Sequence, residues 1–254
     1  MELINDRKYW GWSFSLIITL FVLFFSQLAA SLVLIFIHTF KLLFLGQLSI
    51  FELLHLANIS FETIQIKNTH IISVAYPIFG MYVLWVLIRF KNISIRDYLN
   101  LNFPRISIGL VFGFFLLIVF YEYISKVFPD VFKTDFVIET YTQVENLPLL
   151  YLGIVLLVPI FEEFLFRGFL FKGLEKSFIG GYGAVIVSSV FFALVHTSQY
   201  NDQANGLYIA LYIILPMGLF LGYARLKSGS IFMPIILHML NNLATCLTTH
   251  FQVY

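Results

Sequence analysis

Long uncharged stretches alternate with short polar segments along the chain. No Lys, Arg, Asp or Glu occurs between Tyr9 and Phe40, and about 20 apolar helical residues suffice to cross the hydrocarbon core of a bilayer. Further apolar stretches lie at 70–88, 106–125, 147–171, 180–197, 206–224 and 230–248. The pattern predicts an all-α fold, a polytopic transmembrane helical bundle of about seven spans.

The segments outside these stretches predict the arrangement in the membrane. The first stretch continues past Ala29 and Ala30 into more apolar residues, which predicts an uncleaved anchor rather than a signal peptide. Segment 41–69 is amphipathic and interrupted, and is expected to lie along the membrane surface. The loops on the N-terminal side hold 11 Lys and Arg residues against 4 on the other side. This bias predicts a cytoplasmic N-terminus and an external C-terminus.

Composition agrees with a membrane protein and excludes several functions. Sixty per cent of the residues are hydrophobic and 11% are charged, whereas soluble domains average about 25% charged residues. A net charge of +1 leaves no electrostatic footprint for nucleic acid. The single cysteine, Cys246, excludes an intrachain disulfide and a cysteine-based zinc cluster. We expect an integral protein of a bacterial plasma membrane.

Polar residues inside the predicted spans are the candidates for chemistry. An ionisable group there costs on the order of 3 kcal/mol, so its presence is by default a functional hypothesis. Such residues and their amide neighbours occur in the fourth, fifth and seventh spans: Glu162, Glu163, Arg167, His196, His238, Asn241 and Asn242.

The two adjacent carboxylates have different prospects. Glu163 and Arg167 are four residues apart and share a helix face, so they are expected to form an ion pair. Glu162 lies roughly 140° around the helix from Arg167 and is the carboxylate left without a cation. Low dielectric disfavours its charged form, which suits a general base. In the alternative reading, both glutamates are structural. Pro159, one turn earlier, is expected to kink the helix.

Depth along the helices predicts that the three clusters meet. If the fourth and fifth spans turn near Ile179, Glu162 and His196 each lie 17 residues from the turn, about 26 Å along an antiparallel pair of helices. His238 and Asn242 share one face of the seventh span at a compatible depth, and spacing alone does not choose between Asn241 and Asn242.

Three motifs resemble those of the CPBP (CAAX-processing and bacteriocin-processing, or Abi) intramembrane endopeptidases. The family motifs EExxxR, FxxxH and HxxxN correspond to EEFLFR at Glu162–Arg167, FALVH at Phe192–His196 and HMLNN at His238–Asn242. The resemblance covers about residues 147–245. It predicts N-terminal transmembrane helices with the amphipathic segment at 1–145 and a CPBP-like catalytic core at 146–250, with the chemistry on the fourth, fifth and seventh spans.

The resemblance implies an intramembrane protease. Glu162 and His196 would activate the attacking water, and His238 and Asn242 would hold the oxyanion of the tetrahedral intermediate. Supporting residues would be Glu163 and Arg167, which hold the fourth span, and Phe192, whose ring would orient the imidazole four residues later. The substrate would be a membrane-associated protein or peptide, in bacteriocin or peptide maturation, self-immunity or CAAX-type processing.

Two questions stay open at this stage. Glu162, His196 and His238 form a set that suits Zn²⁺ with one open position, but the chain has no HExxH motif. We therefore favour a glutamate mechanism without a cofactor over a zinc protease. The alternatives to a protease are a proton-coupled carrier and a non-catalytic membrane protein that confers immunity or binds a partner.

Overall fold

The computed structural model describes residues 9–44, 61–104, 107–128, 135–197 and 206–253. Within these ranges the chain is helical and contains no strand. The first helices are α1 Trp12–Phe44, α2 Phe61–Lys67, α3 Thr69–Arg89, α4 Ile95–Leu99, α5 Ile108–Val127 and α6 Asp135–Gln143. The remaining helices are α7 Leu147–Glu175, α8 Gly180–His196, α9 at 206–228 and α10 Phe232–Val253.

Each of the predicted apolar stretches coincides with a helix. In chain order these helices are α1, α3, α5, α7, α8, α9 and α10. Four of them (α1, α3, α7 and α9) are long and apolar enough to cross a membrane by length and composition. Helices α5 and α8 contain shorter apolar segments, Ile108–Tyr121 and Gly180–His196. The apolar helices indicate an integral membrane protein. Of the amphipathic segment predicted at 41–69, residues 45–60 lie outside the described residues, and 61–67 form α2.

Helix α7 is not a regular α-helix. Its α-helical segment Val158–Glu163 lies between two π-helical segments, Leu152–Leu157 and Phe164–Leu170. Each π-helical turn inserts about one extra residue relative to an α-turn, and such turns occur frequently at functional sites. The segment that carries both motif glutamates is therefore bounded on each side by a change in backbone register.

The centre of the molecule is the packing of α7 against α1, α3, α4 and α8. Fully buried phenylalanines from α7 form much of the main core, among them Phe161, Phe166 and Phe169. Helices α9 and α10 pack against each other and, with α5, form a second cluster around Leu221 and Leu237. This arrangement encloses the middle of α7 by protein, so its polar residues do not face lipid.

Small residues let α3 and α7 approach closely. A Cβ atom placed on Gly153 of α7 would lie 2.9 Å from the backbone carbonyl carbon of Ser73 in α3. A backbone atom cannot turn aside as a side chain can, so the two helices would have to separate. Gly153 thus fixes the distance between these helices nine residues before Glu162.

We predict that Gly153→Ala destabilises the fold by about 1–3 kcal/mol, the usual cost of overpacking a core. The measurement is the free energy of unfolding in detergent micelles. Gly109→Ala is the matched control, because the nearest atom to its added Cβ, in Ser107, lies at an ordinary contact distance of 3.6 Å. Both changes add one methyl group to a glycine within a helix, so an equally stable pair of variants would contradict the close approach.

Candidate active site

Glu163 and Arg167 form the predicted ion pair. Arg167 Nη1 donates to Glu163 Oε1 at 2.9 Å, and both side chains are completely buried. Arg167 Nη2 also donates to the backbone oxygen of Gly218 in α9, at 3.0 Å. A buried guanidinium needs acceptors for its N–H groups as well as a counter-charge. Glu163 supplies the charge and Gly218 a further acceptor, so the pair joins α7 to α9.

Glu163 has a second partner that the sequence did not predict. The same Oε1 atom lies 2.8 Å from His238 Nδ1 of α10. A carboxylate oxygen already bonded to Arg167 acts as the acceptor, so Nδ1 carries the hydrogen. The neutral ring then has its lone pair at Nε2. One carboxylate therefore links α7 to α10 and sets which nitrogen of His238 is free.

His196 is oriented in a similar way by its own helix. Its Nδ1 lies 2.7 Å from the backbone oxygen of Phe192, and because a carbonyl can only accept, Nδ1 is the donor. In the neutral ring the lone pair is again at Nε2. The Nε2 atom faces Glu162 Oε1 at 3.8 Å.

Glu162 lies between the two imidazoles. Its Oε1 is 3.8 Å from His196 Nε2 and its Oε2 is 3.8 Å from His238 Nε2. Neither distance is a hydrogen bond. The carboxylate is 6% exposed. A carboxylate and two unprotonated ring nitrogens that face one another are all acceptors, so the group they form is suited to a ligand that donates hydrogens.

The predicted meeting of Glu162, His196 and His238 is seen in the structure, where both imidazoles lie 3.8 Å from the carboxylate of Glu162. Asn242 lies on the same face of α10 as His238, but its Nδ2 donates to the backbone oxygen of Ile154 in α7, at 2.8 Å. Asn241 Nδ2 donates in turn to Asn242 Oδ1 at 3.3 Å. Asn242 is thus the amide that points toward α7, whereas the sequence left Asn241 as an alternative.

Phe192 contacts more of the site than its predicted neighbour. Its ring centroid is 4.4 Å from that of His196 and 5.8 Å from that of His238. The guanidinium carbon of Arg167 lies 4.3 Å from the same centroid, a distance at which a cation and a ring face attract. This one apolar ring contacts both imidazoles and the buried cation.

Arg225 is a site-supporting residue that the sequence reading missed. It lies in α9 with 2% exposure, and its Nε donates to the backbone oxygen of Arg167 at 3.2 Å. That oxygen belongs to the π-helical segment Phe164–Leu170. Its position near a loop made it look like an ordinary basic flanking residue, and no spacing in the sequence connects it to Arg167.

Three residues of the site are also the candidate zinc ligands. Glu162, His196 and His238 are suitable donor types, and each ring has its Nδ1 held by an acceptor, as in histidine–zinc sites. Nevertheless, no three His, Cys, Asp or Glu side chains among the described residues are arranged to hold a metal ion. The mechanism proposed below uses no metal.

The site lies in the part of the chain that is similar to a known protein family. Residues 144–244 match the family model described as type II CAAX prenyl endopeptidase Rce1-like. The matched segment contains all three motifs, and it confirms the resemblance to the CPBP and CAAX proteases. The similarity is to a family of CAAX-type endopeptidases, and it covers 101 of the 254 residues. No curated protein and no solved structure matches the chain.

We predict that Arg167→Met destabilises the protein by about 3–5 kcal/mol, the usual cost of leaving a buried charge without its partner. Unfolding in detergent measures the loss. Lys41→Met is the control, because the Lys41–Glu145 pair is 3.5 Å apart with each side chain 51% exposed. Exposed pairs contribute about 1 kcal/mol or less. Equal losses in the two variants would show that burial of the Arg167 pair has no consequence.

Proposed function

We propose that the chain is an intramembrane endopeptidase that hydrolyses a peptide bond of a membrane-associated protein or peptide. The proposal places the active site on the fourth, fifth and seventh of seven spans, with the N-terminus in the cytoplasm. The observation that carries it is the position of Glu162, which is buried, has no Lys or Arg within ion-pair distance among the described residues, and is flanked by two imidazole nitrogens at 3.8 Å. A structural glutamate at this depth would be expected to have a cation or donor in contact, as Glu163 has.

A water molecule fits the group of acceptors. In the proposed step, water donates one hydrogen to Glu162 and the other to His196 Nε2. Glu162 takes the first proton as the water oxygen bonds to the scissile carbonyl carbon. The electron pair of the C=O bond then moves to the carbonyl oxygen, which becomes an oxyanion. Burial strengthens each of these interactions because little water competes for the charges.

His238 and Asn242 are the proposed donors to this oxyanion. For this role we propose that His238 takes up a proton at Nε2 when the substrate binds, so that the ring donates there as well as at Nδ1, where Glu163 compensates its positive charge. The amide nitrogen of Asn242 carries a second hydrogen besides the one donated to Ile154. Donors that are already oriented stabilise developing charge at little reorganisation cost.

Collapse of the intermediate completes the reaction. The oxyanion re-forms the carbonyl, the C–N bond breaks, and the proton held by Glu162 passes to the leaving amine. Phe192 packs against the ring of His196 and against that of His238, and in this proposal it keeps both rings oriented during the reaction. These reaction steps require no metal. Identifying the substrates would show whether the cleavage serves CAAX-type processing, peptide maturation or self-immunity.

Glu162→Gln is predicted to abolish cleavage while the protein still folds. The amide keeps the size of the carboxylate but cannot take the proton, and loss of a general base typically costs about 10²–10⁴-fold in rate. The measurement compares peptides released from membranes of cells that express the variant or the wild type at matched levels.

Glu139→Gln is the control for this change. Glu139 is an acidic residue of α6 whose carboxylate accepts from the exposed Gln143 side chain, and we expect no loss of cleavage. If Glu162→Gln releases the same peptides as the wild type, the protease mechanism is wrong. If no peptide depends on the wild-type protein while its cellular phenotype persists in the variant, the partner-binding alternative takes its place.

We also predict that purified protein, stripped of metal and assayed with a chelator, keeps its full cleavage rate. The proposed base is a carboxylate, and none of its proton transfers passes through a metal-bound oxygen. Activity that is lost to the chelator and restored by Zn²⁺ would favour the zinc-dependent version with Glu162, His196 and His238 as ligands.

A further inference from the structure

The backbone of α7 changes register just before the motif glutamates. At the end of the π-helical segment Leu152–Leu157, the N–H of Val158 donates to the oxygen of Gly153, five residues back. In the same register, the N–H of residue 159 would serve the oxygen of Ile154. Residue 159 is proline and has no N–H to donate. The carbonyl of Ile154 therefore lacks its next backbone donor.

Asn242 of α10 supplies the missing donor. Its Nδ2 atom donates to the Ile154 oxygen at 2.8 Å. A carbonyl oxygen only accepts, so the contact fixes the nitrogen of the amide, and not its oxygen, toward α7. The oxygen of the same amide accepts from Asn241 Nδ2 at 3.3 Å. Both ends of the Asn242 amide are thus held. Neither of these two bonds uses the second hydrogen on Nδ2.

We propose that Pro159 is a positioning residue which, by leaving the Ile154 carbonyl free, orients the amide of Asn242 for catalysis, a role that rests on the proposed function. An ordinary residue at 159 would bring an N–H that competes with Asn242 for this carbonyl. The hydrogen bond that holds the amide nitrogen of Asn242 toward α7 would then be weaker. The effect of Pro159 on the reaction passes through Asn242 and not through Glu162.

A structural readout tests the carbonyl without reference to activity. Protein labelled with ¹³C-carbonyl isoleucine and ¹⁵N-valine in detergent micelles gives amide cross-peaks only from its three Ile–Val pairs, at residues 118–119, 154–155 and 186–187. We expect Asn242→Ala to move the Ile154 carbonyl resonance upfield while the other two stay in place. In a Pro159→Ala background the same change should move it less, because the new N–H occupies the carbonyl. An unchanged Ile154 resonance in Asn242→Ala overturns the arrangement.

A kinetic double-mutant cycle tests the positioning role. Pro159→Ala should lower kcat by about 3- to 10-fold, the equivalent of one neutral hydrogen bond, and leave KM unchanged. In an Asn242→Ala background it should have no further effect. Equal losses of kcat in both backgrounds overturn the proposal, since Pro159 would then act independently of Asn242.

Two further variants separate the missing donor from other effects of proline. An ester bond between residues 158 and 159, made with the α-hydroxy analogue of alanine, removes the N–H without the ring. It should keep the wild-type kcat, whereas a loss as large as that of Pro159→Ala overturns the proposal. Pro216→Ala is the matched control, because Pro216 is also the second residue after a π-helical segment, Ala210–Ile214. We expect its kcat to be unchanged.

Failure of the proposed function gives a different result from failure of this inference. If wild type and Glu162→Gln cleave equally, the protease proposal falls. The Ile154 resonance still decides whether Pro159 leaves that carbonyl to Asn242, because the label reports on a hydrogen bond and not on turnover.

Discussion

The buried ion pair between Glu163 and Arg167 is the interaction on which the site depends. Neither side chain is exposed to solvent, and together they reach three helices: α7 itself, α9 through the Gly218 oxygen and α10 through His238. Hydrophobic packing between helices is non-directional and supplies no fixed register inside a membrane. Directional bonds from a charged pair do supply one. Because an unpaired charge there is costly, these bonds favour the arrangement of helices in which Arg167 and Glu163 stay in contact.

The same pair explains why two adjacent glutamates differ so much. Glu163 accepts from a cation and an imidazole, whereas Glu162 faces two imidazole nitrogens at 3.8 Å and makes neither kind of bond. One residue along a helix turns the side chain by about 100°. That rotation is enough to place one carboxylate in the structural network and the other beside it. The two glutamates are linked through His238, because its Nδ1 contacts Glu163 and its Nε2 faces Glu162.

Helical spacing was sufficient for the parts of the site that depend on regular geometry. The apolar stretches gave the positions of the helices, the four-residue spacing gave the Glu163–Arg167 pair, and equal distances from the turn near Ile179 placed Glu162 level with His196. Residues beyond the reach of spacing were missed. Arg225 bonds to a backbone oxygen 58 residues away in sequence, and the partner of Asn242 is a carbonyl, which any residue type would provide.

The π-helical turns are the feature that a sequence pattern could least reveal, and they decide where the carbonyls of α7 point. A regular α-helix satisfies its own backbone oxygens and offers nothing to its neighbours. By changing register twice, α7 presents the oxygen of Ile154 to Asn242 and that of Arg167 to Arg225. Both side chains belong to other helices. Each contact therefore gives a backbone oxygen of α7 a directional hydrogen bond inside the membrane, where an unbonded oxygen would be costly. Pro159 could be expected to disturb the helix, but the sequence did not show that the disturbance is taken up as a π-turn. Irregular backbone is tolerated here because protein surrounds it, and the irregularity is what lets one helix position polar groups on two others.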